Sequence, residues 1–400
     1  MIDALIFDGV RSPRARAKDT GALNQLTPQA LLEQLYGGLV NRTGLDPSQV
    51  GEVMLGCVTQ HGEQAANIAR TSLLYAGWPE HIPGITVHRF CSSSIDAIAL
   101  GALKINAGHH ESVVAGGVEM MSRVPMLSDN ARIFVDGGFA AQCKTLMMGS
   151  GADLIASLED VSREEVDEVA LNSQLRAAAA RDGGFFANSI HPIQTPAGTA
   201  STDECIRDAT TMEGLAAMAP AFADLGAKGV DDYQIAGHPH LDAIRHVHTA
   251  GNSPAMADAA SLMLLGSPNF AYALGKSPRA RIAGSITVAA DPLQVLTGCV
   301  AATEALMDRM GLVADDVDLF EIHKAFAATS VVARRRLNPA DDKLNVNGGV
   351  IALGHPMGAT GAIMVMTLLD ELERRDLRCG IVAAAGAAGS GSALLIERDV

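Results

Sequence analysis

Strand-length and helix-length segments alternate at both ends of this chain, and that alternation limits its fold more than any other feature. Early on, strands are expected over Ala4–Val10, Val50–Val58, Ile85–Phe90 and Ser112–Ala115. Between them lie helix-like stretches at Pro28–Asn41, Ile68–Ala76 and Ser94–Ala107. After Lys276 the same rhythm returns, with strands at Ile282–Val288, Val317–Ile322 and Leu344–Val346 and a closing pair at Ile381–Ala385 and Ala393–Glu397. Helices are expected at Val300–Met310, Ala325–Arg336 and Gly358–Arg374. Strands separated by helices imply βαβ units and a largely parallel sheet. From about Arg123 to Ala250 the chain is loop-rich, with Pro125, Pro192, Pro196, Pro220 and Pro239. One helix stands out there, starting after Ser162 with Glu165 completing a capping box. The pattern reads as an α/β chain made of a duplicated unit, with an insertion in the first half.

A length of 400 residues exceeds what one small core organises. The apolar fraction is 48% but aromatics are only 4%, so the core must be built from Ala, Val, Ile, Leu and Met. A net charge of −15 without a basic cluster argues against a nucleic-acid partner. The cysteines Cys57, Cys91, Cys143, Cys205, Cys299 and Cys379 form no CxxC pair. Their irregular spacing suggests free thiols in a reducing compartment, and a cytoplasmic location is expected. The first residues, Met-Ile-Asp-Ala, lack a basic and apolar leader pattern, and the closing Glu-Arg-Asp-Val carries no recognised address. The apolar stretch Ile381–Ile396 is broken by glycines and reads as buried strands, so no membrane partner is expected.

Chemistry concentrates at three places. Gly84-Ile85-Thr86-Val87-His88-Arg89-Phe90-Cys91-Ser92-Ser93-Ser94 puts a thiol between a strand and a helix start, beside serines that can cap it. A helix N-terminus lowers a thiol's pKa, so a nucleophile is expected at Cys91, with an inert buried cysteine as the rival reading. Asn345–Gly361 surrounds His355 with glycines that permit close backbone approach; no phosphate-loop pattern is present. In Phe320-Glu321-Ile322-His323-Lys324-Ala325-Phe326, a strand delivers His323 to a strand–helix junction, where open α/β sheets place their sites. One cysteine and two histidines make a nucleophile–base arrangement. His238/His240 and His246/His248 read as solvated loop histidines, a metal site being the weaker alternative, and Gly386–Gly391 reads as a tight turn between strands.

Taken together, these residues resemble the thiolases, the acyl-CoA:acetyl-CoA C-acyltransferases, over nearly the full length. The matching stretches are Val10-Arg11-Ser12-Pro13, Gly56-Cys57-Val58-Thr59-Gln60, Cys91-Ser92-Ser93-Ser94 and Ala115-Gly116-Gly117-Val118-Glu119-Met120-Met121-Ser122. Thr249-Ala250-Gly251-Asn252, His323-Lys324-Ala325-Phe326-Ala327, Asn345-Val346-Asn347-Gly348-Gly349, Gly354-His355-Pro356 and Gly358-Ala359-Thr360-Gly361 follow in the same order. The resemblance implies an α/β fold of thiolase type, a five-layered α-β-α-β-α stack of two duplicated halves with an inserted loop domain. Its parts would be 1–122 plus 251–275, the loop domain 123–250, and 276–400. It also implies Cys91 as nucleophile, His355 as its base and His323 at one oxyanion position. The backbone N–H groups of Cys91 and Ala387 would form a second oxyanion hole. Met148, Ser253, Ala325 and Phe326 would meet the arm of coenzyme A. Coenzyme A would be substrate or product, with acyl-CoA substrates, no tightly bound cofactor and no metal. A homodimer or homotetramer is implied.

The departures are informative. The second catalytic cysteine of thiolases falls at Ala385, and Cys379 lies six residues too early. Lys324 stands where a glutamate is usual, Pro254 replaces a coenzyme-binding serine with Ser253 beside it, and His88 replaces a common asparagine. Cys299 replaces a proline and could supply the missing thiol. The segment from Lys228 to Val247 is longer than usual. Thiolytic cleavage of a 3-oxoacyl-CoA, or the reverse condensation, is therefore the first expectation. Decarboxylating condensation by a Cys-His-His set is the second, and a catalytically weak acyl-CoA-binding protein the third.

Overall fold

The computed structural model describes residues 3–398; residues 1–2 and 399–400, which hold parts of the terminal segments read above, lie outside the described residues. The strands of the first half are β1 (Leu5–Arg11), β2 (Glu52–Gly56), β3 (Gly84–Val87), β4 (Ser112–Met120) and β5 (Ala257–Gly266). Those of the second half are β6 (Ala280–Ala289), β7 (Leu319–Ile322), β8 (Cys379–Ala385) and β9 (Ser390–Glu397). The main helices are α1 (Pro28–Thr43), α2 (Ile68–Tyr75), α3 (Ser93–Asn106), α4 (Met148–Leu158), α5 (Arg163–Asp182), α6 (Gly298–Met310), α7 (Ala327–Leu337) and α8 (Met357–Arg374).

The strands are ordered β7-β8-β9-β6-β1-β5-β4-β2-β3, with the short strand Ala15–Arg16 beside β5. In the first half β1 pairs antiparallel with β5, and β5 antiparallel with β4; β4, β2 and β3 then run parallel. In the second half β6 and β9 are antiparallel, as are β9 and β8, and β8 and β7 are parallel. The two halves therefore repeat one pattern of order and direction. The counterpart of β3 would be Leu344–Val346, and there the expected strand shrinks to a single parallel bridge between Leu344 and Phe320. The sheet is mixed, not largely parallel as expected. In the first half the reason is β5, which the sequence reading did not single out as a strand and which sits antiparallel between β1 and β4; in the second it is β9, antiparallel between β6 and β8.

Among the described residues, the halves join edge to edge through Leu5↔Arg281 and Ile6↔Ala280. Most of their union is made by α3 and α8, which lie between the sheets. Ile95, Ile98, Ile363, Met366 and Leu369 pack there with Val113 and Ala115 of β4 and Val382 and Ala384 of β8. Outside the first sheet, Leu31 and Leu35 of α1 and Ile68 and Leu73 of α2 cover Phe7, Val53 and Val114. Outside the second, Val300 and Leu306 of α6 and Leu337 of α7 cover Ile381, Ala383 and Leu395. Alternate residues of β4 and β8 thus serve opposite layers, as a pleated strand buried on both faces must. The result is five layers: helix, sheet, helix, sheet, helix. Residues 357–372 of α8 are all buried, as a helix packed on every side requires.

The central segment holds short helices around α4 and α5. Ser162 and Glu165 form the expected capping box at the start of α5. Arg11 anchors this region to the first half through a buried two-pronged pair with Asp203, at 2.8 and 2.9 Å. No helix among the described residues is long and apolar enough to cross a membrane, and all six cysteines are free.

The close approach of α8 to the first sheet depends on glycine. A Cβ on Gly117 would sit 2.2 Å from the Gly358 carbonyl oxygen, backbone that has no flexible atoms to move aside. Gly117→Ala is expected to cost about 3 kcal/mol or more, because α8 must separate from β4. Gly37→Ala, on the exposed face of α1 with nothing within 4 Å, is expected to stabilise by up to ~1 kcal/mol. Urea unfolding midpoints of the two variants check the contrast.

Candidate active site

Strand β3 ends at Val87, and the chain reaches α3 through a tight turn at His88–Ser92. Phe90 has φ +48°, a left-handed conformation that is costly for a bulky residue and holds only where surrounding contacts impose it. Here the Arg89 N–H donates to Ser93 Oγ at 2.9 Å, and Ser92 Oγ donates back to the Arg89 carbonyl at 2.9 Å. Gly386, just past β8, presses on the other side: a Cβ there would lie 2.8 Å from the Arg89 oxygen. Cys91 follows, two residues before the first residue of α3. It faces a cavity of about 150 Å³ whose wall includes His88, Phe90, Phe134, Met148, Met357 and Ala387.

Burial pushes the Cys91 thiol up to about 12, the nearby Glu119 carboxylate adds to the rise, and the Cys91 backbone N–H works against it. This corrects the expectation that the helix start would lower it. Desolvation of the thiolate outweighs the favourable N–H, so the sulfur needs a base.

His355 occupies the matching place in the second half, two residues before the start of α8. Its backbone N–H donates to the Ala255 carbonyl at 2.8 Å, and its Nδ1 lies 2.7 Å from Thr360 Oγ1. The His323 ring is its neighbour, with centroids 4.5 Å apart and planes at 48°. Burial holds the His323 imidazole down to about 4, with the Ala385 backbone opposing. His355 is held well below the usual range by burial, then by His323 and by Arg14. Both rings are therefore neutral near pH 7. Neither His323 ring nitrogen has a hydrogen-bond partner among the described residues.

The residues suggested by sequence fall into three groups. Cys91, Met148 and Ala387 share the cavity wall. His323 and His355 form the ring pair. Ser253, Ala325 and Phe326 form the third group, against the central segment. Ser253 Oγ donates to the Thr249 carbonyl at 2.7 Å, Ala325 is buried, and Phe326 packs edge-on against Phe222 and His248. The Ala327 N–H donates to Asn252 O at 3.2 Å, which brings the Ser253 loop to the start of α7. Cys299 is fully buried and its Sγ lies 3.7 and 3.8 Å from the carbonyls of Leu296 and His323. Burial pushes that thiol up to about 12. It shares a core cluster with Ala385.

Two features escaped the sequence reading. Glu119 is fully buried and accepts hydrogen bonds from Val58 N, Thr59 N, Gln64 Nε2 and Gly358 N at 2.8–3.1 Å. A lone carboxylate in the apolar run of β4 was the available signal. The second is a histidine network, and it corrects the reading of His246 and His248 as solvated. His248 is fully buried; its Nδ1 lies 2.7 Å from Asp153 Oδ1 and its Nε2 accepts the Ala328 N–H at 3.3 Å. His246 bridges Asp153 and Asp231 at 2.8 and 3.0 Å. No group of three or more metal-ligating side chains is placed to hold an ion among the described residues.

A half-buried thiol and an uncharged imidazole at the starts of paired central helices, with a second uncharged imidazole delivered by the end of β7, are the equipment of a cysteine-dependent acyltransferase. Comparison with known proteins makes the class specific. Residues 4–229 match the thiolase N-terminal domain and residues 276–398 the thiolase C-terminal domain. The 3-ketoacyl-CoA thiolase of Yersinia pestis (strain Pestoides F) is 37% identical over the whole of both chains, and that of Photorhabdus laumondii is likewise 37% identical over the whole of both. The crystal structure of the Bacillus anthracis acetyl-CoA acetyltransferase superposes with a TM-score of 0.84 at 34% identity, covering 99% of each chain. The chain belongs to the thiolase family, and it is an acyltransferase of thiolase type.

The neutral histidines set an acid limb of stability. His323 is about 4 in the folded state and near 6.5 when exposed, so the unfolded chain takes up a proton first as pH falls. Stability is full above about pH 6.5 and is lost towards pH 4, by roughly 2–3 kcal/mol for this group. His323→Asn should flatten that limb, as read by urea unfolding at pH 7 and pH 4.5.

Proposed function

We propose that the chain transfers acyl groups between coenzyme A thioesters through a thioester on Cys91, either cleaving a 3-oxoacyl-CoA with coenzyme A or running the reverse condensation. The observation that carries this reading is the Cys91 cavity, walled by Met148 and Ala387 and bordered by the segment that follows His355. In the first step the Cys91 S–H proton passes to His355 Nε2 and the sulfur attacks the thioester carbonyl. The N–H groups of Cys91 and Ala387 hold the oxyanion. The intermediate collapses, and the coenzyme A sulfur leaves with the proton from His355. Hydrogen bonding of His355 Nδ1 to Thr360 supports this role, because it orients the ring with Nε2 free to act as base. Met148, Ser253, Ala325 and Phe326 line the coenzyme path in this reading, and His323 serves the second oxyanion position. Coenzyme A is substrate or product, with no resident cofactor.

The second half-reaction needs a proton carrier at the α-carbon, and Ala385 removes the usual one. Decarboxylating condensation is the rival, favoured by the close His323–His355 pair with Ala385 alongside. Product analysis with acetoacetyl-CoA plus coenzyme A, against malonyl-CoA plus an acyl-CoA, separates the two.

The same reading divides the chain into 1–122 with 251–275, a lid at 123–250, and 276–400, working as a cytoplasmic homodimer or homotetramer. Edge strand β3 supports assembly: it ends the sheet, and its own Ile85 together with Leu100 and Leu103 on α3 is exposed. Sedimentation at micromolar concentration should give at least twice the monomer mass; a monomer would reject assembly.

Incubation with an acyl-CoA should leave a covalent acyl group on Cys91 and none in Cys91→Ala, read by mass spectrometry. An adduct on another cysteine would overturn the central role. In His355→Ala, alkylation of Cys91 near pH 7 should slow by about 10²-fold or more while the fold persists. Ala385→Cys should raise thiolytic or condensing turnover roughly tenfold, leaving Cys91 acylation unchanged. Cys299→Ala should leave turnover unchanged; lost turnover would show that Cys299 does the work assigned elsewhere to the second thiol.

A further inference from the structure

A second cavity, of about 270 Å³, lies between α5 and α7, and it shares no lining residue with the Cys91 cavity. Lys324, Arg176, Arg334, Glu165, Glu168 and Ser330 contribute to its wall. Lys324 is the unusual member. It is only 5% exposed, and among the described residues its ammonium has no hydrogen bond and no carboxylate within 4 Å. Its stem runs over Gly349, where an added Cβ would lie 3.2 Å from Lys324 Cδ. A buried cation without a partner is costly, so a side chain held this way needs a compensating charge.

The neighbours do not provide one directly. Arg176 is fixed by backbone carbonyls, donating to Leu344 O at 2.8 Å and Asp341 O at 3.2 Å, and among the described residues has no carboxylate ion-pair partner. Arg334 pairs with Asp341 at 2.8 Å, and Glu165 is taken up by Arg335. Glu168 is exposed and has no ion-pair partner among the described residues. Glu321, behind Lys324, receives Asn345 Nδ2 at 3.1 Å. Two cations with uncommitted charge therefore face one exposed carboxylate.

We propose that the α5–α7 cavity binds a phosphate group, held by Lys324 Nζ and the Arg176 guanidinium with the Ser330 hydroxyl in reach. A dianion matches two cations, and a guanidinium fork suits phosphate oxygens. Lys324 directly follows His323, so an occupied site is coupled to the segment that carries that histidine; this coupling rests on the proposed role of His323, and the binding itself does not. Burial holds Lys324 down to about 8, with Glu321 opposing and Arg176 and Arg334 reinforcing the shift. Glu165 and Glu168 face the site from α5. Affinity should accordingly weaken as pH rises through about 8, where the lysine loses its proton.

The test is titration of the full chain with inorganic phosphate, read by calorimetry and by thermal midpoint, against chloride at matched ionic strength. Wild type should bind saturably. Lys324→Met and Arg176→Gln should each weaken binding tenfold or more, and Glu168→Gln should tighten it. If Lys324→Met does not fold, Arg176→Gln and Glu168→Gln decide. No saturable phosphate response in wild type, or equal responses in the folded variants, overturns the proposal. Competition by coenzyme A but not by 3′-dephospho-coenzyme A would identify the phosphate as the cofactor's own. Absence of competition by either identifies free phosphate or a separate phosphorylated metabolite. An inactive protein that still binds phosphate would count against the acyl-transfer reading alone.

Discussion

Four hydrogen bonds converge on one buried carboxylate, and the arrangement of the two halves depends on it. Glu119 reaches from β4 to the N–H groups of Val58 and Thr59, to Gln64, and to the N–H of Gly358 in the first turn of α8. Burial pushes this carboxyl up, and the four donors offset only part of the rise. An ion in such a place is tolerated only with its donors satisfied, so the loop after β2 and the start of α8 are held together. The negative end of a carboxylate at a helix N-terminus is also favourable in itself. The same charge raises the Cys91 thiol, so what positions the central helices also makes the sulfur dependent on a base.

Duplication explains where the reactive groups stand. Each half sends one helix into the middle layer, and each places its reactive side chain two residues before that helix begins: Cys91 before α3, His355 before α8. Equivalent positions in the two repeats have diverged into thiol and imidazole. Gly361 lets these two helix starts approach: a Cβ there would lie 2.8 Å from Ile95 N in the first turn of α3, and the Ala362 N–H donates to Ser94 Oγ at 2.9 Å. His323 belongs to a different junction, at the end of β7, and enters the pair sideways through its ring contact with His355.

Much of this was legible in the residues. Helices with strong caps or long apolar faces, such as α1, α5 and α8, lay within a few residues of expectation, because cap chemistry and periodicity are local. The two-half layout was visible for the same reason. The mixed character of the sheet was hidden, since β5 lies far along the chain from its partners and its direction is decided by tertiary packing. The segment at Leu344 had strand-like residues but only one bridge, because Asn345 turns its side chain to Glu321 and the Ile322 carbonyl and adopts φ +46°. Cys91 was found by its position between a strand and a helix, but its protonation was misjudged: exposure, which decides whether a helix end or desolvation dominates, is not written in local sequence. His248 looked like a loop residue because its partner, Asp153, is distant in the chain.

The middle layer has a consequence for how the molecule comes to exist. Its core is built from both halves, while the direct strand seam amounts to two residue pairs. During synthesis, the inner face of the first sheet and one side of α3 must wait for residues 357–374 before they are covered. Until then a broad apolar surface stands open on a nascent chain, the state in which aggregation competes with folding. Neither half is a self-sufficient folding unit, and the chain should acquire its stability late and all at once, when α8 slides between the sheets.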